Sequence, residues 1–513
     1  MRFSLSLFLC VLLLTACNED DLNKDRDIDT DADADTDADT DADADTDADT
    51  DTDTDTDADT DADTDADSDT GHTGLMHTGE TGVDADTDSK ADTGAHQDTA
   101  TSTPTGISTG FDSADSNGLD TSFDSAADTG RDTNAVLNDT SACAHAISQC
   151  GYTVVKNSSN LTALANCRSV TTLAIETQSW LTTIELPCLT TISNDLYIMG
   201  NSALVDMDLS GLTDVMGDFY LSENNNLPDL DGLSSLTEVK GIFSVWSNKS
   251  LTTVDGLSSL KKANDLGFNR NDSLANLNGL SSFETVETIA IGDNGSLVGI
   301  DGLSSVETAD SIVIQGNDSL TDIDGLANLS SCASIGVAGN EILENIDGLS
   351  GISTTGILVI KENPALLNVD GLANLETVDG TLSLYENFSL TNVDGLSNLT
   401  YVGGDIWLGE NPYLANLDGL SGLTEVGGGL HLYSSYSLVN VDGLPNLASV
   451  GLDLYISSNS NLTNLDGLAI LTTIGGNVEI KDNEILCQTN VDSFVGGLTV
   501  GGVVDTSDND DGC

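Results

Sequence analysis

Positive charge is scarce in this sequence. Its 513 residues carry 14 Lys and Arg against 86 Asp and Glu, a net charge of −72. Nucleic acid and anionic lipid headgroups repel such a chain, which excludes nucleic acid as a partner. Histidine is also sparse, at five residues. The chain shows no phosphate-binding glycine loop and no Ser-His or Cys-His pair that its repeats would bring together. Nor do its cysteines include a C-x-x-C pair. These absences argue against an enzyme, a metal site and any resident cofactor. Isolated carboxylates could still serve a hydrolase, but a uniform repeat offers no irregular insertion to house a pocket. Long apolar runs are missing too: the one present, Phe3 to Ala16, is too short to span a bilayer. Aromatic residues make up only 4% of the chain, so any clustering of them is informative.

What is there begins with that apolar run. Preceded by Arg2, it reads as the core of an export signal covering residues 1–16. It ends in Leu14-Thr15-Ala16-Cys17, which resembles the lipobox of bacterial lipoproteins. The resemblance implies that Cys17 becomes the first mature residue and carries the lipid, with several acyl chains giving stable anchoring to the membrane. Asn18 in place of Asp fits the enterobacterial sorting pattern for the outer membrane. The expectation is a lipid-anchored protein of the bacterial cell envelope, in the outer membrane and surface-exposed. Whether it faces the periplasm or the outside stays open, as does ordinary secretion without a lipid.

Residues 17–140 read as a disordered stalk. Every odd position from Asp25 to Asp69 is Asp, 23 in all, alternating mainly with Ala and Thr. Period-2 alternation usually signals a strand, but here there is nothing large to bury, and the like charges extend the chain. From about residue 71 the composition turns to Gly, Ser, Thr and scattered Asp, still without apolar periodicity. The Asp run lacks the turning Gly and terminal bidentate acid of a calcium loop, so a loose counterion atmosphere is the plainer reading.

From about residue 170 the chain is periodic. Asp231, Asp255, Asn278, Asp301, Asp324, Asp347, Asp370, Asp394, Asp418, Asp442 and Asp466 each precede Gly-Leu at intervals of 23 or 24 residues. In step runs apolar-x-apolar-x-x-Asn-x-x-Leu, as in "IVIQGNDSL" (312–320) and "IWLGENPYL" (406–414). Thirteen such rungs lie between Leu196 and Leu486, one with Ser435 in place of Asn. The period is that of a leucine-rich solenoid. The triplet predicts a short strand with its middle residue outward, stacked into a parallel sheet at about 4.8 Å per rung. The Asn is expected to satisfy buried backbone groups in the turn, and the Asp to cap the Gly-Leu amides.

The unit "VGGDIWLGENPYLANLDGLSGL" resembles the receptor L domain, a leucine-rich-repeat relative found in growth-factor-receptor ectodomains. Two departures from ordinary leucine-rich repeats favour this variant: Asn-x-x-Leu replaces Asn-x-Leu, and the connecting half is too short for a long helix. The resemblance implies a mainly β, right-handed solenoid over 196–486, binding through its sheet face and without catalysis. Caps are expected over 141–195, which includes the first coils, and over 487–513. Cys143, Cys150, Cys167 and Cys188 cluster where the repeats begin, and Cys487 and Cys513 where they stop. They are candidate disulfides of unassigned pairing, holding the ends that a solenoid otherwise exposes. Cys332 falls where Val286 and Ala309 stand in the two preceding rungs and is expected to be a buried free thiol.

Outward positions carry the remaining signal. Trp407, His431 and Tyr455 occupy one column on consecutive rungs, Tyr385 and Tyr433 a flanking column with Gly409 between them. Tyr197, Tyr220 and Trp246 lie toward the other end. Tyr385, Trp407, His431, Tyr433, Tyr455 and Trp246 are the candidate ligand-binding residues, for an extracellular protein or carbohydrate. Two readings stand side by side. Either the rings bind a ligand, or they stack across strands for stability, as in a structural envelope component.

Overall fold

The computed structural model describes Cys143, residues 148–151 and residues 153–513. The expected signal peptide, Cys17 and the acidic stalk lie outside the described residues. From Thr153 onward each rung contributes a main strand, most often of four residues and up to nine in Glu238–Trp246, to a 19-stranded sheet. Its pairings are parallel and in register, as in Leu382↔Ile406, Ser383↔Trp407 and Leu384↔Leu408. The ladder opens on Thr153–Val155 and closes on Val504–Asp505, beyond both ends of the 196–486 repeat stretch. Among the described residues no helix is long and apolar enough to cross a membrane.

Period-2 alternation forms the strands: Ile406 and Leu408 point into the coil and are buried, while Trp407 points out. Stacked Leu, Ile, Val and Phe side chains make one continuous core, including Phe219, Phe243 and Phe268 at 0% exposure. The strands break differently along the solenoid. Where the core positions beside the corner are Ala309 and Ile312, a single strand, Thr308–Gln315, runs through. Where they are Val402 and Ile406, an added residue and the Gly403-Gly404 pair split the chain into Tyr401–Val402 and Ile406–Gly409. The first pieces then stack into a seven-stranded sheet of their own.

The Asn of each rung behaves as its type and spacing predict. Asn201, Asn224, Asn248, Asn271, Asn294, Asn317, Asn340, Asn363, Asn387, Asn411, Asn459 and Asn483 are all fully buried. Along most of the column, Oδ1 accepts the backbone N–H of the Asn one rung earlier, as from Asn340 to Asn363 at 3.1 Å. Its Nδ2 reaches back to the strand carbonyl of the preceding rung, as from Asn363 to Val337 at 3.0 Å. Ser435 interrupts the column: its hydroxyl reaches only the carbonyl of Tyr433, at 3.4 Å.

The Asp-Gly-Leu corner corrects the capping expectation. Nine of these triplets, among them Asp394–Leu396, and the matching Asn278–Leu280 are single turns of 3₁₀ helix. The side-chain acceptor comes from two residues earlier: Asn392 Oδ1 takes the N–H of Asp394 at 3.1 Å, and Thr253 Oγ1 that of Asp255 at 3.2 Å. The Asp opens the turn, where its charge complements the free N–H groups, but it is the residue being capped. Glycine follows because the corners stack closely. A Cβ on Gly256 would run into the carbonyl of Leu230 on the previous rung.

Both ends are tied. Cys143–Cys188 and Cys150–Cys167 hold the N-terminal cap, with the helix Ser158–Leu164 started by Asn157, whose side chain accepts the N–H of Asn160. Cys487–Cys513 closes the C-terminal cap around the helix Gln488–Gly496, and Asn509 receives the last Asn at 3.3 Å. Cys332 is buried and unpaired, opposite Ala309, and burial pushes its thiol up to about 11.

Candidate functional site

Parallel register delivers Trp407, His431 and Tyr455 to one column of the sheet face on consecutive rungs. The rings do not simply stand a rung apart. Trp407 and His431 lie flat on each other, centroids 3.8 Å apart and planes 2° apart, while Tyr455 tilts at 6.2 Å from His431. Tyr433 closes the group edge-on, 6.5 Å from Trp407 and 6.3 Å from Tyr455. Two glycines make this possible. The Tyr433 ring lies where a side chain on Gly409 would be, and the His431 imidazole where one on Gly429 would be.

The result is a consolidated aromatic slab rather than a row of free rings. Trp407, His431, Tyr433 and Tyr455 are half-buried, and Tyr385 is only 8% exposed. Tyr385 instead receives Lys361, whose Nζ stands 5.4 Å from the ring centroid and 2.8 Å from Glu362. Burial opposes the charge on Lys361, but hydrogen bonds to Glu362 and Tyr385 overcome it and raise the ammonium pKa above its ordinary value. Trp246 is not brought to this slab. It lies six rungs from Tyr385 and seven from Trp407 along the sheet, about 29 and 34 Å at strand spacing, with Arg270 5.8 Å from its ring. Tyr197 and Tyr220 form a separate stacked pair at 5.6 Å.

Polar atoms inside the slab are left without partners, as are the Oγ atoms of Ser222, Ser311 and Ser334 elsewhere in the solenoid. Ser383, Trp407 and His431 are neighbours in one column, and Ser383 Oγ, Trp407 Nε1 and His431 Nδ1 are buried without a hydrogen-bond partner among the described residues. Burial lowers the His431 pKa, with Asp405 and Asp453 opposing. The imidazole is therefore held neutral at neutral pH, its ring available for stacking.

One further set of residues escaped sequence reasoning. Phe388, Glu410, Pro412, Ser434 and Tyr436 line a groove of about 270 Å³. It lies on the turns that follow these strands, next to the slab. Phe388 and Tyr436 are 47% and 51% exposed, far more than the sheet-face rings. They stand just after the buried Asn position, outside the strand triplet, where alternation says nothing about direction. Aligning the residue after each Asn would have found them.

No protein-family model matches the sequence, and no curated protein matches it. Solved structures of similar architecture are leucine-rich-repeat proteins. A leucine-rich-repeat protein of Leptospira interrogans shares 16% identity at a TM-score of 0.31, over 68% of this chain and 99% of that one. Toll-like receptor 13, from its complex with ssRNA13, shares 16% at 0.30, over 69% of this chain and 57% of that one. Mouse RP105, from its complex with MD-1, shares 15% at 0.24, over 68% and 69%. At such scores nothing about ligands follows from them; the leucine-rich parallel solenoid rests on this chain's own strand register and core.

Proposed function

We propose that the solenoid is a recognition module that takes an extracellular protein or glycan on its sheet face around Trp407. In this reading a lipid on Cys17 anchors it to the bacterial outer membrane and the acidic stalk carries it outward. The observation that supports binding is the run of unpaired polar atoms on Ser383, Trp407 and His431. Each buried group without a partner costs about 1–3 kcal/mol. Phenylalanine or leucine would stack at these positions without that cost. Donors and acceptors kept in an aromatic slab are what a ligand rich in hydroxyls or amides uses once it shifts a ring aside.

A second reading, a structural envelope component with no ligand, draws on the same stacking: Trp407 and His431 already satisfy each other's faces. Trp407→Ala separates the two. If the slab binds, capture on a protein and glycan array falls by more than ~1 kcal/mol, and the melting temperature barely moves, because the hydrophobic core is untouched. Loss of stability with capture intact moves the assignment to the structural reading.

A further inference from the structure

The groove beside the slab carries a chemistry of its own. Phe388, Pro412 and Tyr436 follow the buried column position on three successive rungs. Two rungs separate the rings by roughly 10 Å at strand spacing, too far for them to collapse on each other as Trp407 and His431 do. The short, rigid Pro412 between them leaves the space open. Across the thirteen rungs the residue after the column position is aromatic only at Phe388 and Tyr436. The Glu410 carboxylate and the Ser434 hydroxyl form the remaining wall.

Charge then decides what fits. Residues 362–480 hold 14 Asp and Glu and not one Lys or Arg. His431, inside this stretch, adds no positive charge at neutral pH, so the groove lies in a negative field that its own rungs do not neutralise. Elsewhere on the same strand edge, the chain brings its own cation to a ring and an acid. Arg270 lies 5.8 Å from the Trp246 ring and 3.1 Å from Asp293. Lys361 does the same with Tyr385 and Glu362. Ring faces in a negative field suit a cation better than a neutral sugar, for which only the Ser434 and Tyr436 hydroxyls offer neutral hydrogen bonds.

We propose that this groove binds the ammonium or guanidinium head of a Lys or Arg side chain presented by a basic partner protein. The site is distinct from the sheet-face slab and stands or falls separately. The test titrates the blocked tripeptides Gly-Lys-Gly and Gly-Arg-Gly into the full-length chain by calorimetry. Salt is held at about 0.3 M, where diffuse attraction to exposed acids is screened. Saturable binding is expected, weakened about tenfold in the Phe388→Ala/Tyr436→Ala double variant, at under ~1 kcal/mol per ring. Ser434→Arg should abolish it while keeping both rings, since it seats a cation in the groove from a left-handed position that Arg270 shows an arginine can hold (φ 57°). Trp407→Ala should leave it unchanged. Equal peptide binding by the wild type and Ser434→Arg overturns the proposal, as does a neutral oligosaccharide that saturates the groove when neither peptide does.

Discussion

Removing one asparagine from the buried column should cost more than its size suggests. Asn317 Oδ1 accepts the backbone N–H of Asn294 at 3.2 Å, and its Nδ2 donates to the carbonyl of Ile291 at 3.1 Å. Asn317→Ala removes both bonds and leaves two main-chain groups unpaired in a region at 0% exposure. At about 1–3 kcal/mol each, with a small cavity added, the expected loss is around 4 kcal/mol. Because a solenoid rung contacts only its neighbours, the damage should be local. Hydrogen exchange at the Asn294 amide should accelerate by about a thousandfold, with amides near Val478 unchanged. Asn328→Ala is the control: it removes an exposed side chain whose Nδ2 donates to Ser304 at 2.7 Å, and should cost under ~0.5 kcal/mol. A loss below about 1 kcal/mol for Asn317→Ala, or an acceleration spread evenly along the array, would refute the view that the column holds the rungs together.

Other outcomes follow from the same geometry. Ser435→Asn should raise stability by about 1–2 kcal/mol in denaturant titration, since its neighbours Asn411 and Asn459 show the space and the partners the longer side chain would use. His431 has a folded pKa below its ordinary 6.5, so the fold favours the neutral ring. That contribution is intact above about 6.5 and lost as pH falls through the folded value. The melting temperature of the wild type should accordingly drop further between about pH 7 and pH 5 than that of His431→Phe, and equal drops would count against it. Cys17→Ser should release the protein from the membrane fraction; retention through detergent-free washes would mean that the lipobox reading fails.

Much of this fold was legible because each signal was repeated in register. Asn at a fixed offset from two core positions could do little but fill the turn, and the structure places it there. The Asp-Gly-Leu corner misled because its true acceptor varies in type, from Asp229 to Thr253 to Asn276. A side chain that changes identity while keeping its oxygen does not register as a motif. Column assignments for Trp407, His431 and Tyr455 came from strand alternation alone. Their flat stacking did not, because it depends on Gly409 and Gly429 standing beside particular rings. Residue type alone groups Trp246 with the other rings, yet the intervening rungs hold it apart from the slab.

Because the asparagine column joins each rung to the next by the same pair of bonds, from Oδ1 and from Nδ2, the rung is also a unit of recombination. An in-frame excision of 24 residues, from Asn387 through Glu410, would bring Asn411 to the place of Asn387 and rejoin like to like. The fold should therefore tolerate gain or loss of whole rungs, which crossovers between repeats in matching register would supply. The groove does not share this tolerance, since Phe388, Pro412 and Tyr436 must be consecutive. Length variation among natural copies of such a gene should spare residues 387–436 and fall on either side of them.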